Sequence, residues 1–487
     1  MAKIPQDLIL PELPFMDKIH EGKVRATYSI PGNAQLLQWA SDRISIFNFI
    51  LNGTVSQKGE ILTALTVFWQ KTILKNFPSH LLVYGKNVVN QISPGNIQSE
   101  AMSNWLMRSS LIIKRLDLLP IEAIVRGCLT GSGWKDYQKS GRCYNHVLPP
   151  DLWDGACLPY PIFTPTEKSD DDPPIHHDVV GQRFGAVPER TALQIYMMAQ
   201  KFALTRGIVL ADTKFEMDKV GVLGDEWLTP DSSRCWDLSE WLKCNAEKKS
   251  PTSLDKEFTR RWGKSQGIDK LDPTNPEHIK MVEQIGLPED IAKTTGKIYR
   301  YIFWRLTGNK LEFFQKTFMG IENAEQPKVN ISVVVGSQSD LPQMNAGLNT
   351  LKLARNVGLT DFSVNVISCH RNSVELSNFA EWQNPEVVIA GAGLAAALPG
   401  ILKAHYNRLG KSIPVIGVAF EGKNQLETQA AQLSIEQLPG QPVELDSNGK
   451  AFTGSLGFHQ ACDLAINGEF MPAKPSALKP AIFNLDC

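Results

Sequence analysis

Over residues 210–237 the chain reads LADTKFEMDKVGVLGDEWLTPDSSRCWD, its densest run of charged and hydroxyl groups. Asp212, Lys214 and Glu216 recur every second residue, the period that puts side chains on one face of a strand. A face carrying acid, lysine and acid suits a phosphate together with a hard divalent cation. Glu216 and Asp225 offer the carboxylate oxygens such a cation needs, and Arg234 offers a guanidinium fork for an anionic substrate. VRGCLTGSGW (125–134) sets Arg126 beside a turn rich in Gly, Ser and Thr, again a set of donors for phosphate or carboxylate. HEGKVRATY (20–28) places Gly22 and Lys23 where backbone amides and an ammonium can approach a nucleotide phosphate. SDRISIF (41–47) and QKG (57–59) embed charge between apolar runs, so a ligand or an ion pair must compensate it.

A second set of groups lies far downstream. GSQSD (336–340) follows the run VNISVVV, SCHR occupies 368–371, and AGAGLAAALPG occupies 390–400. A β-branched run ending in Gly-Ser reads as a buried parallel strand that delivers its backbone to a ligand. His370 is suited to moving a proton near neutrality.

These groups need elements to hold them. After residue 328 the runs ISVVVG, FSVNVIS, PEVVIAG and IPVIGVAF recur with helix-compatible sequence between them. This predicts a three-layer, flavodoxin/Rossmann-like α/β domain with a parallel sheet and ligands at the carboxyl ends of its strands. VVIAGAGLAAALPGIL (387–402) is expected to be a strand, a glycine turn and a packed helix rather than a membrane span. The first 320 residues mix strand-like and helical segments, which predicts an α+β domain. Helices are expected in SEAMSNWLMRSSLIIKRL (99–116) and IAKTTGKIYRYIFWRLTG (291–308). The polar stretch IENAEQPKVN (321–330) marks the boundary, giving domains at 1–320 and 329–475, a linker at 321–328 and a tail at 476–487.

Composition sets the outer limits. A chain of 487 residues exceeds what one core organises, which is about 250–300 residues. Its 50 Lys+Arg against 51 Asp+Glu give no global reason to bind nucleic acid or an anionic membrane. The 8 Cys contain no CxxC pair, so reduced thiols in a cytoplasmic compartment are expected rather than a zinc ribbon or a disulfide framework. MAKIPQDLILPELPF lacks the unbroken apolar core of an export signal.

The first domain resembles SAICAR synthetase, the purine-pathway ligase, through GKVR, DRIS, QKG, VRGCLTGSGWKDYQKSG, LPYPIFTPTEK, ADTKFE, TPDSSRCWD and SLDKEFTRRW, in order over residues 15–308. The resemblance implies ATP- and magnesium-dependent joining of L-aspartate to carboxyaminoimidazole ribonucleotide (CAIR) through an acyl phosphate. It also implies that Gly22 and Lys23 face ATP, that Asp172 of DDDPPI, Glu216 and Asp225 serve magnesium, and that Asp42, Arg43, Ser45, Lys58, Arg126, Ser132, Lys214, Asp231, Ser233 and Arg234 meet the substrates. The chain departs from the family at Asn48, where Asp is expected, and at Ser56, where Pro is expected.

Residues 329–470 resemble the enzyme that makes CAIR, carrying GSQSD, SCHR, AGAGLAAALPG and PVIGV. That resemblance implies that Ser337, Asp340, Ser368, Arg371 and Gly393 bind an aminoimidazole ribonucleotide and that His370 transfers the proton leaving its ring carbon. HR and AGAG resemble the mutase branch, whereas the order of the two domains resembles animal fusions that carry the carboxylase, which uses carbon dioxide. Leu394 and Ala397 replace a Gly and a His of the family pattern, so a module retained for assembly is a third reading. The mutase family forms octamers, and a homo-oligomer is expected here.

Overall fold

The chain divides into two compact units, Met1–Glu325 and Gln326–Cys487. This computed structural model describes residues 13, 15–92, 97, 99–169, 173–322, 324, 327–437 and 443–471. Asp172 and the tail 476–487 lie outside them.

Two antiparallel sheets organise the first unit. One has five strands in the order Lys18–Glu21, Arg25–Ser29, Gln35–Ala40, Ser110–Lys114 and Leu81–Tyr84. The other runs Cys157–Phe163, Ile121–Cys128, Ile208–Met217 and Leu223–Gly224, and Ser233–Asp237 also pairs with its long strand Ile208–Met217. That strand is apolar at nearly every position that does not carry charge, so it anchors itself on both sides while presenting Asp212, Lys214 and Glu216. Helix Lys58–Lys71 buries twelve residues, Lys58 to Gln70 apart from Glu60, and packs against helix Glu289–Thr307.

One helical expectation is corrected. Within 99–116 the helix covers only Glu100–Ser109, started by the Ser99 hydroxyl accepting from the Met102 amide at 3.1 Å. The remainder, Ser110–Lys114, is a strand between Gln35–Ala40 and Leu81–Tyr84. Buried Leu111, Ile112 and Ile113 prefer the pleated surface, and pairing on both sides overrides the helical period.

The second unit is the predicted three-layer fold. Its five strands are parallel and ordered Thr360–Val366, Val329–Val335, Val387–Ala392, Val415–Ala419 and Phe452–Thr453. In sequence terms this is the 2-1-3-4-5 order of flavodoxin-like sheets. Ile331, Val333, Val335 and Ile389 enter one core with Phe458 and Ala461, while Val334, Val388 and Ala390 enter another with Leu376 and Leu402. A sheet covered on both faces explains why these strands read as unbroken apolar runs. The edge strand Thr360–Val366 is the exception and is largely exposed. The segment 387–402 is a strand, a turn and the start of helix Leu398–Arg408. Among the described residues no helix is long and apolar enough to cross a membrane.

Candidate active sites

In the first unit the face predicted from the sequence exists, and the protein supplies a counter-charge for each of its members. Asp212 sits opposite Arg126 on the neighbouring strand and opposite Arg234 on the other side. Its Oδ2 accepts from Arg126 at 2.7 Å and from Arg234 at 2.9 Å. Two guanidiniums on one carboxylate oxygen leave a net positive charge. Arg126 is fixed by further bonds to Thr164 at 3.0 Å and Ser132 at 3.2 Å, and its side chain is 4% exposed, against 21% for Arg234. Arg234 is therefore the better placed of the two to meet an incoming anion.

Beside them begins helix Gly131–Ser140, whose Thr130 cap side chain accepts no hydrogen bond from the first amides. Gly131 stands at φ +59°, and a Cβ there would lie 2.3 Å from an Arg234 nitrogen. Glycine thus keeps the guanidinium and the helix N-terminus together, and both favour anions.

Further along the same strand, Lys214 donates to Glu122 and Lys168 donates to Glu216, each at 2.5 Å. Glu216 is raised by burial and then by the neighbouring Asp225 charge, against the pull of Lys168 and Lys214. Asp225 behaves oppositely: burial opposes ionisation, but Arg25, Lys214 and Lys168 hold its carboxyl below the usual range. Asp225 keeps 35% of its side-chain surface open, so the surrounding cations decide its direction. Its Oδ1 accepts from Arg25 and from Gln38, both at 3.3 Å. Lys168 contacts only Oε2 of Glu216. Each acid therefore has a second oxygen that these contacts do not use, which fits a hard cation that takes oxygen ligands.

Other residues expected at the site turn inward. Lys58 is 0% exposed and donates to Asp231 at 2.7 Å, while the Tyr299 hydroxyl donates to the other Asp231 oxygen at 2.5 Å. Burial raises Asp231, but Lys58 and Lys256 hold it well below the usual carboxylate range. Asp42 accepts from the Gln57 and Gly59 amides at 3.2 and 2.9 Å, capping helix Lys58–Lys71. Arg43, 1% exposed, reaches Glu21 at 3.0 Å and the Gly22 carbonyl at 3.4 Å. Ser233 is buried against Thr213 at 2.8 Å. Ser45 pairs with Ile50 in a hairpin. Lys23 is exposed and donates to Asn48 Oδ1 at 2.7 Å. Asn48 so keeps a hydrogen bond but not the charge an Asp would give, and it occupies the left-handed region at φ +66°, which Asn tolerates better than most residues.

Sequence reasoning missed Arg25, Glu122, Lys168, Asp255 and Lys256. Burial pushes Asp255 up to about 6 and Lys256 down to about 8. Nothing in local spacing marks them, because each acquires its partner across the fold. Arg25, Lys168, Asp255 and Lys256 do lie inside the motifs GKVR, LPYPIFTPTEK and SLDKEFTRRW, and Arg25 stands two positions from Lys23.

In the second unit the three motifs meet at the carboxyl ends of strands Val329–Val335, Thr360–Val366 and Val387–Ala392. Ser337 and Asp340 form a capping box: the Ser337 amide donates to Asp340 at 3.1 Å and the Ser339 amide to Ser337 at 3.2 Å. Burial raises Asp340. Arg371 donates to the Gly336 carbonyl at 3.1 Å, and Ser368 Oγ accepts from the Arg371 amide at 3.3 Å. His370 is exposed, with its Nδ1 3.8 Å from Cys369 Sγ. A Cβ on Gly393 would lie 4.0 Å from Asp340 Oδ1, which joins the first and third strand ends. Leu394 next to it adopts φ +54° with 57% of its surface exposed.

The first unit is thus an α+β unit with a cation-flanked acid pair, and the second is a flavodoxin-like unit with its polar groups at the strand ends. Residues 18–274 match the SAICAR synthetase family, and the chain belongs to that family. Residues 330–454 match the AIR carboxylase family. The chain is 37% identical over 311 residues to the phosphoribosylaminoimidazole-succinocarboxamide synthase of Leptothrix cholodnii, covering 62% of this chain and 98% of that one. The Schizosaccharomyces pombe enzyme of the same name is 33% identical over 309 residues, 61% of this chain and 96% of its own. The solved SAICAR synthase of Saccharomyces cerevisiae, complexed with SAICAR, is similar with a TM-score of 0.53 at 30% identity, covering 62% of this chain and 99% of its own. The first unit is accordingly a ligase of purine biosynthesis.

Proposed function

We propose that the first unit joins L-aspartate to the carboxylate of CAIR at the expense of ATP, giving SAICAR, ADP and phosphate, and that the second unit makes the CAIR from N-carboxyaminoimidazole ribonucleotide. The observation that carries the ligase reading is the strand Ile208–Met217, which aligns Asp212 with its two arginines, Lys214 and Glu216 along one face.

A carboxylate is a poor electrophile, so the γ-phosphoryl group first passes to it and forms an acyl phosphate. The aspartate amine then attacks the acyl carbon, the C–N bond forms, the C–O bond to phosphate breaks, and phosphate leaves. Such chemistry depends on positioning and on neutralising charge. Arg234, fixed Arg126, Ser132 and the helix start at Gly131 hold the ribonucleotide as an anion. Gly22 and Lys23 face the ATP phosphates. Glu216 and Asp225, with Asp172, would hold magnesium, which supplies positive charge for the transferring phosphoryl group. Lys58, Asp231, Asp42 and Arg43 act behind this layer by fixing the loops that carry it. Domains at 1–320 and 329–475 act as separate catalysts in a cytoplasmic chain with small-molecule partners, assembled as a homo-oligomer of closed symmetry, an octamer.

In the second unit Ser337, Asp340 and Gly393 receive the ribonucleotide, Ser368 orients Arg371 towards its phosphate, and His370 carries the ring proton. Leu394 at φ +54° favours a second reading, in which this unit is kept for assembly alone.

Purified protein given each candidate ribonucleotide separately, with ATP and aspartate, tests both parts through product masses. CAIR should yield SAICAR and ADP, and unreacted CAIR would remove the ligase reading. N-carboxyaminoimidazole ribonucleotide should yield CAIR. Turnover of aminoimidazole ribonucleotide only with added carbon dioxide would make the second unit a carboxylase, and no CAIR from either would leave the assembly role.

A further inference from the structure

Cys128 ends strand Ile121–Cys128 and Cys157 begins strand Cys157–Phe163, and the two are direct partners across that antiparallel pair. Their sulfurs stand 2.7 Å apart, inside ordinary non-bonded contact yet beyond the roughly 2.05 Å of an S–S bond. Directly opposed strand residues have Cα atoms about 4.5–5.5 Å apart, within the range of about 4.4–6.8 Å that a disulfide spans. Both cysteines are free thiols. Cys128 is 0% exposed, whereas Cys157 is open to solvent. An accessible thiol with a second thiol already in contact behind it has no role in the ligase chemistry.

We propose that Cys157 and Cys128 form a peroxide-reactive thiol pair, with Cys157 as the attacking thiol and Cys128 as its resolving partner. The Cys157 thiolate attacks one peroxide oxygen: an S–O bond forms, the O–O bond breaks, and hydroxide leaves and takes up a proton to become water. Cys128 sulfur then attacks the Cys157 sulfenic acid. The S–S bond forms, the S–O bond breaks, and the departing hydroxide takes the Cys128 proton to give a second water. Two thiols are oxidised by two electrons and one hydrogen peroxide is reduced to two waters.

The electrostatics agree with this division of labour. The hydrogen bond from Cys128 lowers the Cys157 thiol, and the same bond, with burial, pushes Cys128 well up. Thiols that sense oxidants are accessible, depressed in pKa and backed by a resolving cysteine. Because Cys128 and Cys157 already face each other, and the strand pair shifts register only between Cys157 and Ile162, the bond closes with little movement of the backbone that carries Arg126 two residues away. Resolution keeps Cys157 from reaching the irreversible sulfinic state.

The full-length chain, treated with hydrogen peroxide, alkylated and mapped without reduction, should give a linked peptide pair containing Cys128 and Cys157, reversed by dithiothreitol. The oxidised protein should melt about 5 °C higher, as expected for a loop of this order closed by a bridge. In Cys128→Ser the same treatment should give sulfinic acid at Cys157 instead. The proposal is overturned if the wild type yields Cys157 sulfinic acid with Cys128 still alkylatable, if Cys157 links to another cysteine, or if neither thiol changes. The wild-type map decides the pairing even where a variant folds poorly.

Discussion

The two units handle charge differently. In the first, the groups singled out for chemistry come from distant parts of the chain and are answered inside the protein: Asp212 by two arginines, Glu216 by Lys168, Asp231 by Lys58. In the second, they sit on short loops at the ends of parallel strands, and their contacts are mostly with backbone, as with Arg371 and the Gly336 carbonyl. An antiparallel α+β unit must build an electrostatic frame residue by residue. A doubly wound sheet obtains its site from topology, because every strand end already faces the same crevice.

Substitutions can break this contrast most sharply through activity. His370→Asn should lower CAIR formation by about 100-fold or more, the scale of a lost proton carrier, while ligase turnover stays unchanged, since His370 belongs to the other unit. Glu216→Ala or Asp225→Ala should lower ligase turnover by about 100-fold or more and raise the magnesium concentration needed for half-maximal rate. Loss of both activities in either variant would point to unfolding. A frame built residue by residue should also fail structurally when opened. Arg126→Ala leaves buried Asp212 with one partner and should cost about 3–5 kcal/mol in denaturant unfolding, the scale of a broken buried ion pair. A cost below about 1 kcal/mol would show that the pairing is incidental.

The same contrast explains what the sequence disclosed. The parallel strands after residue 328 were legible because burial on both faces makes each a continuous apolar run, and their motifs fall at their ends. The alternation of Asp212, Lys214 and Glu216 was legible because strand period is local. What could not be read were partners. Arg25 with Asp225 and Lys58 with Asp231 are separated by 200 and 173 positions, and no local pattern encodes those pairings. The strand Ser110–Lys114 was hidden for a related reason, since neighbours far along the chain decide its pairing.

Asp255 sharpens the comparison through pH. It is 1% exposed, and burial pushes it up to about 6 despite amide bonds from Glu257 and the charges of Arg234 and Arg260. A folded pKa above the unfolded value means that the native state holds the proton more tightly. Its contribution to stability is therefore full below about pH 4 and lost as pH rises through 6. A shift of about two units corresponds to about 3 kcal/mol. Asp255→Asn should gain stability relative to wild type by that order between pH 4 and 7, as read from urea midpoints at each pH. A constant difference across that range would show that Asp255 titrates normally.

The smallest expected effect concerns Leu394, where the topological site carries a residue its backbone does not favour. A non-glycine residue in the left-handed region costs about 1–2 kcal/mol, and glycine relieves this while costing about 0.5–1 kcal/mol in chain entropy. With 57% of Leu394 exposed, little burial is lost on removing its side chain. Leu394→Gly should therefore change unfolding free energy by no more than about 1.5 kcal/mol, the difference of those two terms. It also removes bulk beside Gly393, where a ligand would approach the backbone. If the second unit is a catalyst slowed by that bulk, the variant should form CAIR faster than wild type, and Leu394→Gly with Ala397→His faster still. A destabilisation above about 2 kcal/mol would mean that the leucine packs against something in the assembled protein. Unchanged stability with no CAIR from either variant would show that the strand-end geometry persists without the chemistry, and that topology alone preserves a site it no longer uses.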